Sequence, residues 1–127
     1  MTPPTSKRYV ENQRLSIAGE ARAANFLVNL GYRILARRYR NKFGEIDLVA
    51  QKAKRIAFVE VKTRSQDHFG DPLESITAWK LRSIFRASRV FLAQWPGAAA
   101  LEVEYLGIGI QTGGESPGVD CVSLFPD

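Results

Sequence analysis

Three charged residues interrupt two apolar runs near the middle of the chain, in the segment GEIDLVAQKAKRIAFVEVKTR at 44–64. Asp47 lies in the first run, and Glu60 and Lys62 lie in the second. Two carboxylates can hold Mg²⁺, which prefers oxygen ligands and keeps waters for reaction, and a nearby amine can stabilise charge on a phosphate. These residue types therefore suit phosphodiester hydrolysis. The alternative is an ordinary Glu–Lys ion pair at a sheet edge, with Asp47 solvated at a strand end.

The pattern of the segment predicts two neighbouring strands, at 45–50 and 55–63, around the polar turn QKAKR. Side chains alternate across a strand, so Glu60 should share a face with Lys62, and Asp47 with Glu45. The short turn can place Asp47 across from the region of Glu60. The other expected face-sharing groups are Ile56 and Phe58 with Glu60; Ala57, Val59, Val61 and Thr63; Val49 with Asp47; and Ile46, Leu48 and Ala50.

Both faces of these strands are apolar overall, which predicts a sheet covered on both sides. Charges in such a place lose hydration, and this costs several kcal/mol per ion unless they are paired or bind a metal. Glu20 interrupts the apolar stripe of a predicted first helix, and Lys80 lies at the edge of the buried face of a predicted second helix. The expected stripe contains Ile17, Ala21, Ala24, Leu27 and Val28, and the expected buried face contains Leu81, Ile84, Phe85, Phe91, Leu92 and Trp95.

The rest of the chain supplies the elements that would position these residues. No internal repeat or long linker divides it, so one domain spanning residues 1–127 is expected. The order of elements predicts a central mixed β-sheet flanked by helices, an α/β or α+β domain. The expected elements are a helix at about 7–30, a strand at 32–40, the two strands above, a loop at 68–72, a helix at about 73–95, a strand at 101–110, a turn-rich loop at 111–118 and an edge strand at 119–125.

Composition excludes several classes of protein. The chain has 127 residues, 45% hydrophobic and 24% charged, which is ordinary for a globular domain. No apolar run approaches the roughly 20 residues that cross a bilayer, and the N-terminus has no apolar core of the signal-peptide type. The single cysteine, Cys121, rules out an internal disulfide and a Cys-rich metal site. A cytoplasmic protein without a membrane partner is expected.

Charge is distributed unevenly along the chain. Residues 1–42 contain nine Lys and Arg and only two acids, whereas residues 96–127 contain five acids and no Lys or Arg. The formal net charge of +5 therefore combines a basic front part with an acidic tail. A basic front is the electrostatic footprint of a phosphate-binding surface, and a solvated basic face is the alternative.

The spacing of the charged residues resembles a known signature. Asp47, followed by Glu60-Val61-Lys62, resembles the D…(D/E)xK motif of the PD-(D/E)xK, or restriction-endonuclease-like, nuclease superfamily. The longer string GEARAANFLVNLGYRILARRYRNKFGEIDLVA…FVEVKTR…FGDPLESITAWK resembles the YraN-type family of small bacterial proteins, over about residues 14–95. The superfamily core is also similar to that of archaeal Holliday-junction resolvases. The resemblance implies a restriction-endonuclease-like α/β fold.

The resemblance also implies roles for individual residues. Asp47 and Glu60 would be catalytic metal ligands, with the Val61 carbonyl as a third ligand, and Lys62 would be the catalytic lysine. Glu20 would be a helix-borne carboxylate that binds the metal directly or through water. Lys80 would support the site from the following helix, and Glu45 would lie behind the ligands or face phosphate. The basic residues expected to hold flanking phosphates are Arg37, Arg38, Arg40, Lys42 and Arg64.

These inferences predict a Mg²⁺-dependent endonuclease, with Mn²⁺ as a substitute, acting on DNA or on structured or branched nucleic acid. DNA is favoured over RNA as the partner. The alternatives are a non-catalytic nucleic-acid-binding module with the same fold, and a structural or adaptor protein that uses the acidic tail. Cutting of a junction would require a homodimer, because two sites must face opposed strands, and the sequence leaves this open.

Overall fold

The computed structural model describes residues 7–64, 73, 76–113 and 118–125. The loop expected at 68–72 lies outside these residues, as do residues 114–117 of the expected turn-rich loop. The order of elements in the described residues confirms the predicted order. The elements are helix α1 (Lys7–Asn29), strands β1 (Arg33–Asn41), β2 (Gly44–Lys52) and β3 (Arg55–Arg64), helix α2 (Ala78–Gln94), a 3₁₀ turn (Ala98–Ala100), and strands β4 (Glu102–Gln111) and β5 (Gly118–Ser123).

The five strands form one sheet in the order β1-β2-β3-β4-β5. Only β3 and β4 pair in parallel, with α2 between them in the chain, and the other neighbours are antiparallel. The sheet is therefore mixed, as predicted, and β5 is an edge strand. No helix in the described part of the chain is long and apolar enough to cross a membrane.

One helix packs on each face of the sheet and creates two separate cores. The α1-side core and the α2-side core are defined here by their buried residues. The α1-side core contains Ala23, Ala24, Leu27, Tyr32, Leu48, Ala50, Ala57, Val59, Ile108 and Ile110. The α2-side core contains Ile46, Val49, Ile56, Phe58, Ile84, Ala87 and Phe91. The strands are thus covered on both sides, which confirms the reading of their apolar runs.

The stripe predicted for α1 is wrong in part. Ile17 and Val28 are 53% and 52% exposed, and Ala21 is exposed as well. The face that meets the sheet instead uses small residues, since Gly19 and Ala23 are buried. A Cβ on Gly19 would collide with the Thr63 side chain of β3, so the helix backbone lies close to the strand there. Because Gly19 has no side chain, α1 can turn its small residues toward β3, and this rotation leaves Ile17 exposed.

Helix α2 also departs from its prediction. It begins at Ala78 rather than near Leu73, because the Thr77 hydroxyl caps it by accepting a hydrogen bond from the backbone N–H of Lys80 at 3.1 Å. Ile84 and Phe91 are buried as expected. Phe85 is not, because it lies on the flank of the helix beside Tyr105 and Phe125.

The close approach at Gly19 leads to a stability prediction. The Gly19→Ala variant is expected to lose about 1 kcal/mol net, because overpacking against Thr63 costs about 1–3 kcal/mol and outweighs a gain in helix propensity of about 1 kcal/mol. In a Thr63→Ala background the same change should stabilise the protein, since the obstructing hydroxyl is gone. Urea unfolding of the four proteins measures both effects. Equal effects in the two backgrounds would show that Thr63 does not limit the contact.

Candidate active site

The sheet opens between its second and third strands, and the predicted charged residues lie at this opening. The ladder between β2 and β3 has its last pair at Leu48 and Val59. Beyond that point β3 continues along β4 to Arg64, while β2 continues along β1 to Gly44. The Asp47 carboxylate fills the gap, because its Oδ2 accepts a hydrogen bond from the backbone N–H of Val61 at 2.7 Å. The Asp47 carboxylate takes the place of the backbone carbonyl that would otherwise pair with this N–H, and β2 and β3 separate at this point.

Strands β1 and β2 both lose the regular alternation of side chains at the same level. In β1, Ala36 and Tyr39 are three residues apart yet both pack against the α2-side core. In β2, Ile46 joins Val49 in that core, which contradicts the prediction that it shares a face with Leu48. The residue between the two halves of β1 is Arg38, whose φ of +51° is unusual for a residue with a side chain.

Because β1 and β2 are both irregular at this level, the side chains of Arg38 and Asp47 point into the same pocket. The pairs Arg37–Leu48 and Tyr39–Ile46 place Arg38 level with Asp47 on the neighbouring strand. Both residues line a cavity of about 570 Å³ between α1, α2 and the open end of the sheet. The cavity is lined by Gln13, Ser16, Ile17, Glu20, Arg38, Glu45, Asp47, Glu60, Val61, Lys62, Thr63 and Lys80.

The cavity therefore brings together all the catalytic, metal-binding and supporting residues expected from the sequence, which come from four different elements. It includes only one of the expected phosphate-binding residues, Arg38. The others, Arg37, Arg40, Lys42 and Arg64, are not among its lining residues. Gln13 and Ser16 were not singled out in the sequence. They precede Glu20 by seven and four residues on α1. Residues at this spacing lie on the same face of a helix, so their distance from Glu20 could have identified them in the sequence.

Glu60 is the most buried charged group of the pocket. It is 2% exposed, and its Oε2 has no hydrogen-bond partner among the described residues. Its Oε1 lies 3.8 Å from Lys62 Nζ and 3.7 Å from Lys80 Nζ, so two ammonium groups approach the same oxygen. Burial, followed by the negative charge of Asp47, raises the pKa of Glu60 to about 7. The carboxylate lacks enough nearby positive charge to ionise easily.

Asp47 is in a similar electrostatic position. Burial raises the pKa of Asp47, and the charge of Glu20 adds to the effect, while the hydrogen bond from the Val61 N–H opposes it. Two partly desolvated carboxylates therefore repel each other across the opening of the sheet. Such a pair is stabilised by a cation placed between its oxygens.

Glu20 and Glu45 are engaged elsewhere. Glu20 Oε2 accepts a hydrogen bond from Arg38 Nε at 2.9 Å, and Glu45 Oε2 accepts one from Arg40 Nη2 at 2.8 Å. No group of three or more His, Cys, Asp or Glu side chains within 7–64, 73, 76–113 and 118–125 is arranged to hold a metal ion. The set of three carboxylates implied by the resemblance is thus not assembled in this arrangement.

Asp47 and Glu60 nevertheless offer carboxylate oxygens, the kind of ligand that Mg²⁺ prefers. Mg²⁺ keeps several waters and is commonly bound by one or two carboxylates together with substrate phosphates, so a protein cage is not needed. Glu60 Oε2, which has no partner among the described residues, offers a free ligand atom. The role of the Val61 carbonyl as a third ligand stays a prediction.

The fold and this pocket define a class of protein. A mixed five-stranded sheet with a helix on each face, and with acidic and basic residues at its opening, has the restriction-endonuclease-like α/β architecture. The family model described as "Uncharacterised protein family UPF0102" matches residues 19–111, and the chain belongs to this family. The family resemblance read from the sequence is thereby confirmed.

Curated relatives from several bacteria support the assignment. A UPF0102 protein of Rhodopseudomonas palustris is 42% identical over 104 residues, which cover 82% of this chain and 77% of the relative. One of Mycolicibacterium vanbaalenii is 40% identical over 93 residues, covering 72% and 77%. One of Vibrio parahaemolyticus is 38% identical over 109 residues and covers 86% of each.

Proposed function

We propose that the protein is a metal-dependent nuclease that hydrolyses phosphodiester bonds in DNA or in structured or branched nucleic acid. The observation that carries the proposal is the buried Glu60 carboxylate, which faces Asp47 in a pocket where Lys62 and Lys80 converge. Its Oε2 has no hydrogen-bond partner among the residues that the structure describes. A structural ion pair would satisfy both carboxylate oxygens. This group leaves one of them for a ligand.

Asp47 and Glu60 would hold the ion, which would be Mg²⁺ or Mn²⁺. A bound ion of this kind supplies a water of lowered pKa and stabilises the leaving oxygen. Asp47 is fixed for this role by its hydrogen bond to the Val61 N–H, which orients the carboxylate without using its second oxygen. The covered sheet below the pair strengthens its electrostatic interactions by excluding water.

The cations of the pocket would position the phosphate. Lys62 is half-buried beside Glu60, so its ammonium can stabilise negative charge that develops on the phosphate, and Lys80 can do so from α2. Arg38 can offer its guanidinium to a neighbouring phosphate in exchange for Glu20. Release of Glu20 from Arg38 would then supply the third carboxylate implied by the resemblance.

The pairing of Glu20 with Arg38 also favours a second candidate, a nucleic-acid-binding module that does not cleave. In that case the Arg38–Glu20 ion pair would persist when nucleic acid binds. The other carboxylates of the pocket would then weaken binding of the phosphates, and no catalysis would compensate for this cost. The adaptor alternative predicts no binding of nucleic acid at any salt concentration.

A titration with Mg²⁺ and Mn²⁺ against a panel of labelled substrates tests the proposal. The panel contains duplex, single-stranded, flap and four-way-junction DNA, and structured RNA. Cleavage that requires the metal and stops with EDTA would support the nuclease and identify its substrate. Binding without cleavage under every metal condition would favour the non-catalytic module instead.

Lys62→Ala is expected to reduce cleavage by about 10²–10³-fold at saturating substrate while metal binding persists. The Lys62 ammonium lies 3.8 Å from Glu60 Oε1 and would stabilise charge on the phosphate without being a metal ligand itself. Single-turnover cleavage rates, compared with metal affinity from calorimetry, separate the two effects. Lys54→Ala, at an exposed turn, is the matched control. Unchanged single-turnover rates in Lys62→Ala would remove this residue from the catalytic machinery.

A further inference from the structure

Helix α2 has an outer face that is unusually basic. Its 17 residues include four Lys and Arg and no Asp or Glu. One of the four, Lys80, points into the catalytic pocket. The other three, Arg82, Arg86 and Arg89, recur at helical spacing on the face opposite the buried residues Ile84, Ala87 and Phe91. They form a row of guanidinium groups with successive rises of about 6 and 4.5 Å.

A groove runs between this face and the turn that connects β1 to β2. The Ser83 hydroxyl donates a hydrogen bond to the Phe43 carbonyl at 2.6 Å and so fixes the turn against the helix. Two adjoining cavities of about 520 and 530 Å³ share Phe43 and Arg86. They are lined by Lys42, Phe43, Trp79, Arg82, Ser83, Arg86, Arg89, Val90, Ala93 and Gln94, which together define the α2 groove.

Two aromatic side chains of the α2 groove are exposed. Trp79 is 70% exposed and Phe43 is 37% exposed. The other tryptophan, Trp95, is half-buried and stacks on Phe91 at 5.2 Å between ring centroids. Trp79 therefore does not serve the core in the way that Trp95 does. A large, exposed indole beside arginines is a typical stacking platform for nucleic-acid bases.

Within the described residues, three cations of the α2 groove have no carboxylate partner. No ion pair joins Lys42, Arg82 or Arg86 to a carboxylate in the part of the chain that the structure describes. Lys42 lies 5.1 Å above the Phe43 ring, and Arg89 lies 6.0 Å from the Phe85 ring. Both arrangements leave the charge itself available to an anion. A chain of phosphates complements such a row better than an isolated anion does.

The α2 groove and the catalytic pocket share two segments of the chain. Around the start of α2, Trp79 and Arg82 line the groove while Lys80 lines the pocket. At the turn between β1 and β2, Phe43 lines the groove while Glu45 lines the pocket. A nucleic-acid strand that enters the pocket can therefore continue along α2.

We infer that the α2 groove binds a nucleic-acid strand with unpaired bases, its phosphates on Arg82 and Arg86 and a base stacked on Trp79. This inference rests on the proposed function and specifies its substrate as single-stranded or branched nucleic acid. Bases within a continuous duplex are stacked on each other and offer no free π-face to Trp79, whereas a single strand or a fork does.

Binding is measured by fluorescence anisotropy in EDTA, so that cleavage plays no part. The probes are a labelled single-stranded oligonucleotide, the duplex of the same sequence, and a fork that combines both. Trp79→Ala is expected to weaken binding of the single strand and the fork by about 5- to 150-fold and to leave the duplex nearly unchanged. Trp79→Phe should retain most of the affinity, and single-strand binding should quench the fluorescence of Trp79.

The double variant Arg82→Ala/Arg86→Ala tests the phosphate contacts. Loss of two contacts should reduce the slope of log K against log salt by about 1.4 for a single strand. Arg22→Ala/Lys54→Ala removes the same charge from exposed positions on α1 and on the far turn, and it should keep the parent slope. An unchanged slope in the first variant, or equal loss in both, would overturn the inference.

The outcomes separate this inference from the proposed function. Metal-dependent cleavage that is insensitive to Trp79→Ala and to the double arginine variant would leave the nuclease intact and refute the α2 groove. Binding of single strands that requires Trp79, without cleavage in any metal, would support the groove and refute the nuclease. Absence of binding to all three probes, together with absence of cleavage in Mg²⁺ and Mn²⁺, would refute both.

Discussion

The Glu60→Gln variant is expected to lose metal-dependent cleavage by at least about 100-fold while it remains folded. Changes to groups that only orient metal ligands commonly cost 10–100-fold, so loss of a ligand oxygen should cost no less. Glutamine preserves the shape of the side chain in its buried position and removes the negative charge that would hold the ion. The measurement is the single-turnover cleavage rate across a range of Mg²⁺ and Mn²⁺ concentrations.

A second pocket variant and a control variant complete this experiment. Asp47→Asn should lose cleavage to a similar extent, because it removes the other carboxylate of the pair while an amide oxygen can still accept the hydrogen bond from the Val61 N–H. Glu102→Gln, at an exposed position at the start of β4, makes the same chemical change away from the pocket and should retain the parent rate. Parent-like cleavage in both Glu60→Gln and Asp47→Asn would refute the site.

The metal-free protein is expected to lose about 3 kcal/mol of stability from Glu60 as pH rises. The ordinary pKa of 4.5 applies to the unfolded chain, and burial raises it to about 7 in the folded protein. Between these values the folded state holds a proton that the unfolded state has released, so the free energy of unfolding falls with increasing pH. This contribution is complete below about pH 4.5, is lost through about pH 7, and then levels off.

Comparison with Glu60→Gln isolates this contribution from the other titrating groups. The two proteins should be similarly stable at pH 5. At pH 8 in EDTA the variant should be the more stable one, with a melting temperature higher by on the order of 10 °C. Addition of Mg²⁺ at pH 8 should stabilise the parent and not the variant, because only the parent retains both carboxylates. Parallel stability curves from pH 5 to 8 would show that Glu60 ionises normally in the folded protein.

The two experiments report different properties of one carboxylate. Cleavage reports whether Asp47 and Glu60 act in chemistry, whereas the pH profile reports only that Glu60 is buried beside a like charge. A protein that shows the pH effect without cleavage would retain the electrostatics of a metal site as a binding module. The repulsion between the Asp47 and Glu60 carboxylates would then favour binding of a cation, but no substrate would be cleaved.

The amino-acid sequence by itself determined the order of the elements and the identity of the charged group in the sheet. Alternating apolar runs with turn residues between them define β2 and β3, because strand side chains have a period of two. The interruption of these runs by Asp47, Glu60 and Lys62 was visible for the same reason. A buried charge stands out in an apolar pattern, whereas an exposed charge does not, which is why the α2 groove was not foreseen.

Tertiary structure alone decided the geometry of the site. The alternation rule placed Ile46 with Leu48, but the strands separate at Asp47 once its carboxylate takes the Val61 N–H, and Ile46 turns to the other core. Likewise Ile17 became exposed because Gly19 allowed α1 to approach β3 closely. Local patterns encode which residues can be buried. Strand register, helix rotation and ion-pair partners depend on contacts between segments far apart in the chain, and the energies of those contacts are not additive over local sequence.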